Sequence, residues 1–247
     1  MSRLLCALYA ALLLCGSARA DSSWLAVTED WPPYNYTDAS GKVTGFSTEV
    51  LQRLQEKAKV SIPIRLFPWV RAYRMAQSRP NTLIYTLARI PEREGQFIWI
   101  GPIAPRDSYL FRLGNRNDIQ VKNLQEAAKY VTGVVRADAS ERELLKQGWV
   151  QGKNLDISND DASLFRKLKV GLVDLVPSNE LAAQYRARQM HLDHDLVKVL
   201  SLVKQGGYYI GVNKHSDPAA VARLQKAMEE LKQSGELAAI YKSYLGS

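Results

Sequence analysis

The stretch FSTEVLQRLQEKA at Phe46–Ala58, set between WLAV at 24–27 and IPIRL at 62–66, decides the fold class. Phe46, Val50, Leu51, Leu54 and Ala58 recur on one face of a helix, with Glu49, Gln52, Arg53 and Glu56 on the other; that spacing predicts an amphipathic helix packed on a core. The flanking runs are short, apolar and strand-like, and Pro63 sits near the start of the second, where a strand tolerates it. A helix at 70–77 follows, then strands at 83–85 and 97–100. Strand, helix, strand, helix, strand predicts parallel pairing through right-handed crossovers, hence an α/β fold. Between the first strand and helix, Trp31-Pro32-Pro33-Tyr34 forces an extended turn, because neither proline can donate to a ladder. Residues 38–41 form a turn cluster.

The pattern then restarts. Residues 108–113 read as extended and 130–135 as a strand. Ser140 can cap a helix carrying Leu144 and Leu145 and stopped by Gly148. Asp160 or Asp161 caps another helix, with Leu164 and Leu168, which ends at Gly171. Residues 172–176 read as a strand, Ser178 or Asn179 as the cap of a helix running towards Met190, and 196–200 as a further strand. Gly206-Gly207 precedes an apolar run at 208–212. Ser216-Asp217-Pro218 then gives an N-cap with proline near the first turn of a helix carrying Val221, Leu224, Ala227, Met228 and Leu231 on one face. Gly235 interrupts it, and Leu237, Ile240, Tyr241 and Tyr244 mark a last amphipathic helix. Two α/β units predict two lobes with a cleft between them, crossed near 106–111 and near 202–208. The expected division is 21–107 with 207–247 for lobe 1, and 108–206 for lobe 2.

Residues 1–20 carry one basic residue near the start, Arg3, then an apolar run at 4–15, and end Ala18-Arg19-Ala20. That is the pattern of a secretory signal peptide cleaved after Ala20, and the apolar run is too short for a membrane span. Cys15 follows three leucines rather than the small residue expected before a lipidated cysteine, so a soluble mature protein is expected. Both cysteines, Cys6 and Cys15, lie in this leader, so the mature chain has neither disulfides nor thiol chemistry. Removing Arg3 and Arg19 from 33 basic residues, against 25 acidic ones, leaves a mature balance of +6. The basic residues are scattered without aromatic interleaving, which argues against nucleic acid as a partner.

Three stretches carry a family resemblance: Trp31-Pro32-Pro33-Tyr34 with Gly41-Lys42-Val43-Thr44-Gly45-Phe46, Thr86-Leu87-Ala88-Arg89-Ile90-Pro91-Glu92-Arg93, and Gly171-Leu172-Val173-Asp174-Leu175-Val176. In order and spacing they resemble the bacterial family 3 extracellular solute-binding proteins, over nearly the whole mature chain. The resemblance implies two doubly wound lobes joined by two hinge crossings, the type II periplasmic-binding-protein architecture. It also implies a monomer in the periplasm that closes around a small polar, carboxylate-bearing solute and delivers it to an inner-membrane ABC permease. A receptor-coupled sensor is the alternative partner arrangement. No cofactor or metal is implied.

The resemblance assigns roles residue by residue. Arg93 matches the arginine that grips a ligand carboxylate, for which a guanidinium fork is suited; the plainer alternative is a surface ion pair with Glu92 or Glu94. Arg89 either adds a second positive charge or points outward. Thr86 falls where a hydroxyl binds the ligand head, and Ala88 where many members have another. Trp31 and Trp69 fall near aromatic stacking positions, with core packing the alternative for Trp69. Asn179 stands where amino-acid binders usually have an aspartate for the ligand ammonium. Either another acid such as Asp138, beside Arg136, takes that part, or the ligand is not an ordinary amino acid. Asp138 and Arg136 can equally be solvated loop charges. A dehydratase-like enzyme on the same fold is the rival reading, with Glu29, Asp30 and Glu180 as its candidate acids. His191 and His194 fall short of the three or four ligands a metal site wants.

Overall fold

The computed structural model describes residues 23–192 and 194–245. The leader expected at 1–20 lies outside the described residues. The chain opens with β1 (Leu25–Thr28), a small hairpin of β2 (Tyr36–Thr37) and β3 (Val43–Thr44), and α1 (Phe46–Ala58). Then come β4 (Ile64–Leu66), α2 (Trp69–Ser78), β5 (Thr82–Ala88), a 3-10 turn at Pro91–Arg93 and the long β6 (Phe97–Leu113). The middle of the chain holds α3 (Leu124–Ala127), β7 (Thr132–Val135), α4 (Ala139–Lys146), β8 (Leu155–Ser158), α5 (Asp161–Lys169), β9 (Val176–Ser178) and α6 (Glu180–Gln189). The 18-residue β10 (Leu196–Asn213), α7 (Pro218–Gln233) and α8 (Glu236–Leu245) complete it.

β1 pairs in parallel with both β4 and β5, as the alternating pattern predicted. β10 runs antiparallel to β5 and β6, and β6 antiparallel to β9, in the order β4-β1-β5-β10-β6-β9. β7 and β8 form a second parallel pair, tied to the middle segment by a bridge from Thr132 to Leu175. The result is two lobes, each with its own apolar core. One gathers Val50, Leu54, Leu83, Ile210, Leu224 and Leu231. The other is built on Leu110, Val134, Leu144, Trp149, Phe165 and Val176. Among the described residues, no helix is long and apolar enough to cross a membrane.

The four extended runs at 97–100, 108–113, 196–200 and 208–212 merge into just two strands. Gly101, Pro102 and Pro105 inside β6, and Gly206-Gly207 inside β10, look like breaks in the sequence, because proline cannot donate and glycine adds no packing. Their neighbours pair irregularly: the register slips between Val203 and Gly206 and again between Tyr208 and Ile210. A Cβ on Gly206 would lie 2.9 Å from the Arg106 carbonyl oxygen, so this crossing point requires glycine. Other expectations shift locally. The strand placed at 172–176 is observed at Val176–Ser178, with Leu175 only bridged. Asp138 rather than Ser140 caps α4. β8 and the β2–β3 hairpin carry too few residues to show a period.

α1 starts as sequence predicts but without a side-chain cap. Gly45 has φ 110°, and the Phe46 and Ser47 amides donate to the Pro33 and Tyr34 carbonyls at 3.0 and 2.8 Å. The proline turn therefore satisfies the helix N-terminus and anchors the segment that brings Trp31 forward. A Cβ on Gly45 would stand 2.5 Å from the Tyr34 oxygen. Gly45→Ala is thus expected to destabilise the protein by about 2 kcal/mol or more, read as a lowered urea midpoint. An unchanged midpoint would contradict this packing.

Candidate functional site

The carboxyl ends of β1, β5, β7 and β9 face one cleft, enclosing ≈ 670 Å³ with its solvent-connected space, which is where α/β sheets place ligands. Three helix starts open onto it through Asp138 and Ser140 of α4, Asp161 of α5, and Ser178-Asn179 of α6. Helix N-termini carry unpaired amides and partial positive charge, so they favour anionic groups. Here the nearest anions are the protein's own aspartates.

The first lobe contributes Glu29, Trp31, Trp69 and Thr86. Asn35, fully buried, donates to the Glu29 carbonyl at 2.7 Å and accepts from the Thr86 hydroxyl at 2.5 Å, locking the ends of β1 and β5 together. Thr86 has φ 60°, an uncommon backbone state for a β-branched residue, and Ala137, just before Asp138, has the same value. Strain of this kind persists where surrounding structure enforces it and clusters at ligand clamps. Trp31 stacks on Tyr34 at 4.7 Å and meets Tyr208 edge-on at 5.3 Å. Trp69 both packs in the core and lines the cleft, and its buried Nε1 has no hydrogen-bond partner.

Arg93 matches neither sequence alternative as posed. It is 1% exposed and makes no ion pair with Glu92 or Glu94, whose partners are Lys146 and Arg89. Nor does it line the cleft. It lies behind Ala88 and Trp69, donating to the Ala88 and Ala137 carbonyls, both at 3.1 Å, and so joins the two lobes. Its guanidinium lies 5.3 Å from the Trp69 ring and 5.1 Å from that of Tyr73, and Nε has no partner. Burial pushes its pKa below the ordinary arginine value, with Asp138 opposing that shift.

Arg89 points outward, forked onto Glu94 at 2.7 and 2.9 Å and set over Trp99 and Tyr209. Arg136 is exposed and away from the cleft, whereas its neighbour Asp138 lines it. Asn179 lines the cleft too, but its Oδ1 is engaged as the α6 cap, accepting from the Ala182 amide at 2.8 Å. Of the eight residues singled out from sequence, the cleft therefore gathers Trp31, Trp69, Thr86, Asp138 and Asn179.

Sequence reasoning gave Arg106 and Tyr208 no part in the site, and read Ser178 and Asp161 only as candidate caps. Arg106 and Tyr208 flank the crossing that the glycine pair announced, and of the two cap candidates Asn179 caps α6 while Ser178 lines the cleft. Arg106 is forked onto Glu143 at 2.9 and 3.0 Å. Asp161 pairs with Arg186 at 2.7 Å, yet burial, partly opposed by Arg186, pushes its carboxyl up to about 6. Burial, and then repulsion from Asp138, Asp161 and Asp30, holds the Glu29 carboxyl well above the usual carboxylate range, and only Arg93 counters it. Of the other acids considered, Asp30 bonds Arg186 at 3.4 Å and Glu180 bonds Lys198 at 2.7 Å. Among the described residues, no three His, Cys, Asp or Glu side chains cluster as a metal site requires.

The sequence matches the model of the bacterial extracellular solute-binding proteins, family 3, over residues 24–247. The L-cystine-binding protein TcyJ of Escherichia coli (strain K12) is 25% identical over 155 residues, which is 62% of this chain and 57% of that protein. The match thus spans little more than half of that curated relative. A histidine kinase sensor domain with similarity to periplasmic binding proteins superposes with a TM-score of 0.81 at 21% identity, over 91% of this chain and 96% of the other. An ancestral arginine-binding protein bound to arginine gives 0.80 at 21% identity, over 91% and 99%. These likenesses establish the type II periplasmic-binding-protein fold. With a family match spanning the described chain, the protein belongs to the bacterial extracellular solute-binding proteins, family 3.

Proposed function

We propose that the protein is a periplasmic solute-binding protein that closes around one small polar, carboxylate-bearing solute, an amino acid or a related compound, and delivers it to an ABC importer. Lobe 1 comprises 21–107 and 207–247, lobe 2 comprises 108–206, and a leader at 1–20 is removed on export. The observation that carries this reading is Arg93: a fully buried guanidinium joining the lobes, held by two neutral carbonyls and no carboxylate. A buried charge without a counter-ion is costly, and a carboxylate offering two parallel acceptors suits the fork best. When the lobes part, the bond to the Ala137 carbonyl breaks and the guanidinium turns to the solute. Trp31, Trp69 and Thr86 then contact the solute from lobe 1, and Asp138 and Asn179 from lobe 2. The named ligands of the relatives, L-cystine and arginine, support the amino-acid class. The likeness to a kinase sensor domain favours a second reading, in which the closed form signals to a receptor.

Thermal-shift screening of amino acids, organic acids and polyamines, followed by calorimetry, is expected to return a carboxylate-bearing solute that mass spectrometry recovers unchanged. Arg93→Lys keeps the charge and loses the fork, and is expected to weaken that solute by about 30-fold or more; full affinity in the variant would contradict the carboxylate assignment. Small-angle scattering is expected to show a smaller radius of gyration with the solute than without it, as hinge closure requires, and an unchanged radius would contradict closure.

A further inference from the structure

Lobe 1 carries a second concave surface, which shares no lining residue with the cleft. α2 packs across β1, β5 and β10 and leaves the same face of the edge strand β4 largely uncovered. A groove of ≈ 1200 Å³, its solvent-connected space included, runs between that strand and the helix. Leu25, Phe67 and Met75 give it a half-buried apolar floor. Strands of a parallel sheet are normally covered on both faces, so apolar side chains left open at its edge mark a surface that lacks a partner.

The walls of the groove are cationic. Arg65 stands on β4, and Arg71 and Arg79 stand along α2 and at its C-terminal end; no acidic side chain lines the space. Between residues 57 and 91 the chain holds seven basic residues and no acidic one. They are too widely spaced to read as a basic run, and the fold gathers three of them here. Arg71 lies over the Phe67 ring at 4.6 Å, and among the described residues none of the three guanidinia has a carboxylate partner. Elsewhere arginines find acids, as Arg89, Arg106, Arg116 and Arg186 do. Like charges gathered at one groove repel, and each guanidinium presents a fork that fits a carboxylate.

We propose that this groove docks an extended acidic segment of a protein partner, whose carboxylates meet Arg65, Arg71 and Arg79 while its apolar side chains cover the open face of β4. Arg71 and Arg79 lie about 12 Å apart along the helix axis, a span that about four residues of extended chain cover. The edge strand favours a peptide. The Ala26 amide donates to the Pro63 carbonyl and the Phe67 amide to the Thr28 carbonyl, both at 2.8 Å, so residues 63, 65 and 67 turn their backbone groups to β1. The amides and carbonyls of Ile64 and Leu66 therefore face away from the sheet, where an added chain can meet them. Pro63 and Pro68 bound that edge and keep any ladder short, so the guanidinia supply most of the affinity. A bilayer surface would meet only the rims of such a groove. The proposal is independent of the reading of the cleft.

The test is fluorescence anisotropy of a labelled Asp-Val-Asp-Val-Asp-Val-Asp peptide and its counterpart with asparagine for aspartate. One triple variant, Arg65→Gln with Arg71→Gln and Arg79→Gln, removes the charge of the groove. A control triple, Lys153→Gln with Arg223→Gln and Lys226→Gln, removes the same charge from exposed positions elsewhere. Wild type is expected to bind the aspartate peptide about tenfold or more tightly than the asparagine one, and more weakly as salt rises. The groove variant should lose about 30-fold or more, and the control should stay within about threefold. An unchanged Tm shows the groove variant to be folded; should it not fold, the three single variants carry the test, each with an expected loss of about threefold. Equal binding of the two peptides, equal losses in the two triple variants, or no peptide binding by wild type overturns the proposal. Sedimentation with phosphatidylglycerol vesicles covers the other anionic surface: vesicle binding that needs the three arginines, without peptide binding, also overturns it and assigns the groove to lipid. None of these outcomes bears on solute binding in the cleft.

Discussion

The antiparallel pairing of β6 with β10 is the constraint on which the rest of the molecule depends. The ladder runs from Leu113 and Leu196 at one end to Phe97 and Asn213 at the other, so each strand belongs to both lobes. At one end the ladder continues through β5 to β1 and β4; at the other it continues to β9. Because the same two strands run through both lobes in one sheet, the strand ends of the lobes face one another and the cleft follows from topology. The glycine, proline and register slips at the crossing are where such a pair bends most cheaply. Contacts between the lobes span that cleft: Arg93 to the Ala137 carbonyl, Arg186 to Asp30, and Lys146 to Glu92.

The parts of the fold legible in the sequence were those with a period. α1 shows five apolar residues on one face, and its bounds at Phe46–Ala58 agree with expectation. The strand–helix alternation likewise announced the parallel β4-β1-β5 core. Strand continuity through the crossing was hidden, because local chemistry at Gly101, Pro102, Gly206 and Gly207 argues for breaks. Tertiary pairing overrides it, tolerating proline and glycine where the ladder is already irregular. β8 and the small hairpin were lost for a different reason, since two to four residues cannot display alternation.

The site was legible as a neighbourhood more than as a set of contacts. Trp31, Thr86, Asp138 and Asn179 sit beside turns or helix starts, which is where α/β folds expose residues to a cleft. Arginine is harder to place, because its reach exceeds the spacing along the chain. Arg89 and Arg93 are four residues apart, yet one forks onto surface Glu94 and the other is buried between lobes. The balance of charge was out of reach of sequence altogether. It depends on which acids find partners, and Arg186, far along the chain in α6, decides that for Asp161. What emerges is a cleft with a buried guanidinium behind one wall, bonded to two carbonyls and to no carboxylate.

A crystal structure of the protein with the solute recovered by screening tests that claim most directly. The account predicts a solute carboxylate forked onto the Arg93 guanidinium, with the bond from Arg93 to the Ala137 carbonyl given up. Arg93 still held by the Ala88 and Ala137 carbonyls, with the solute bound out of its reach, would contradict the account.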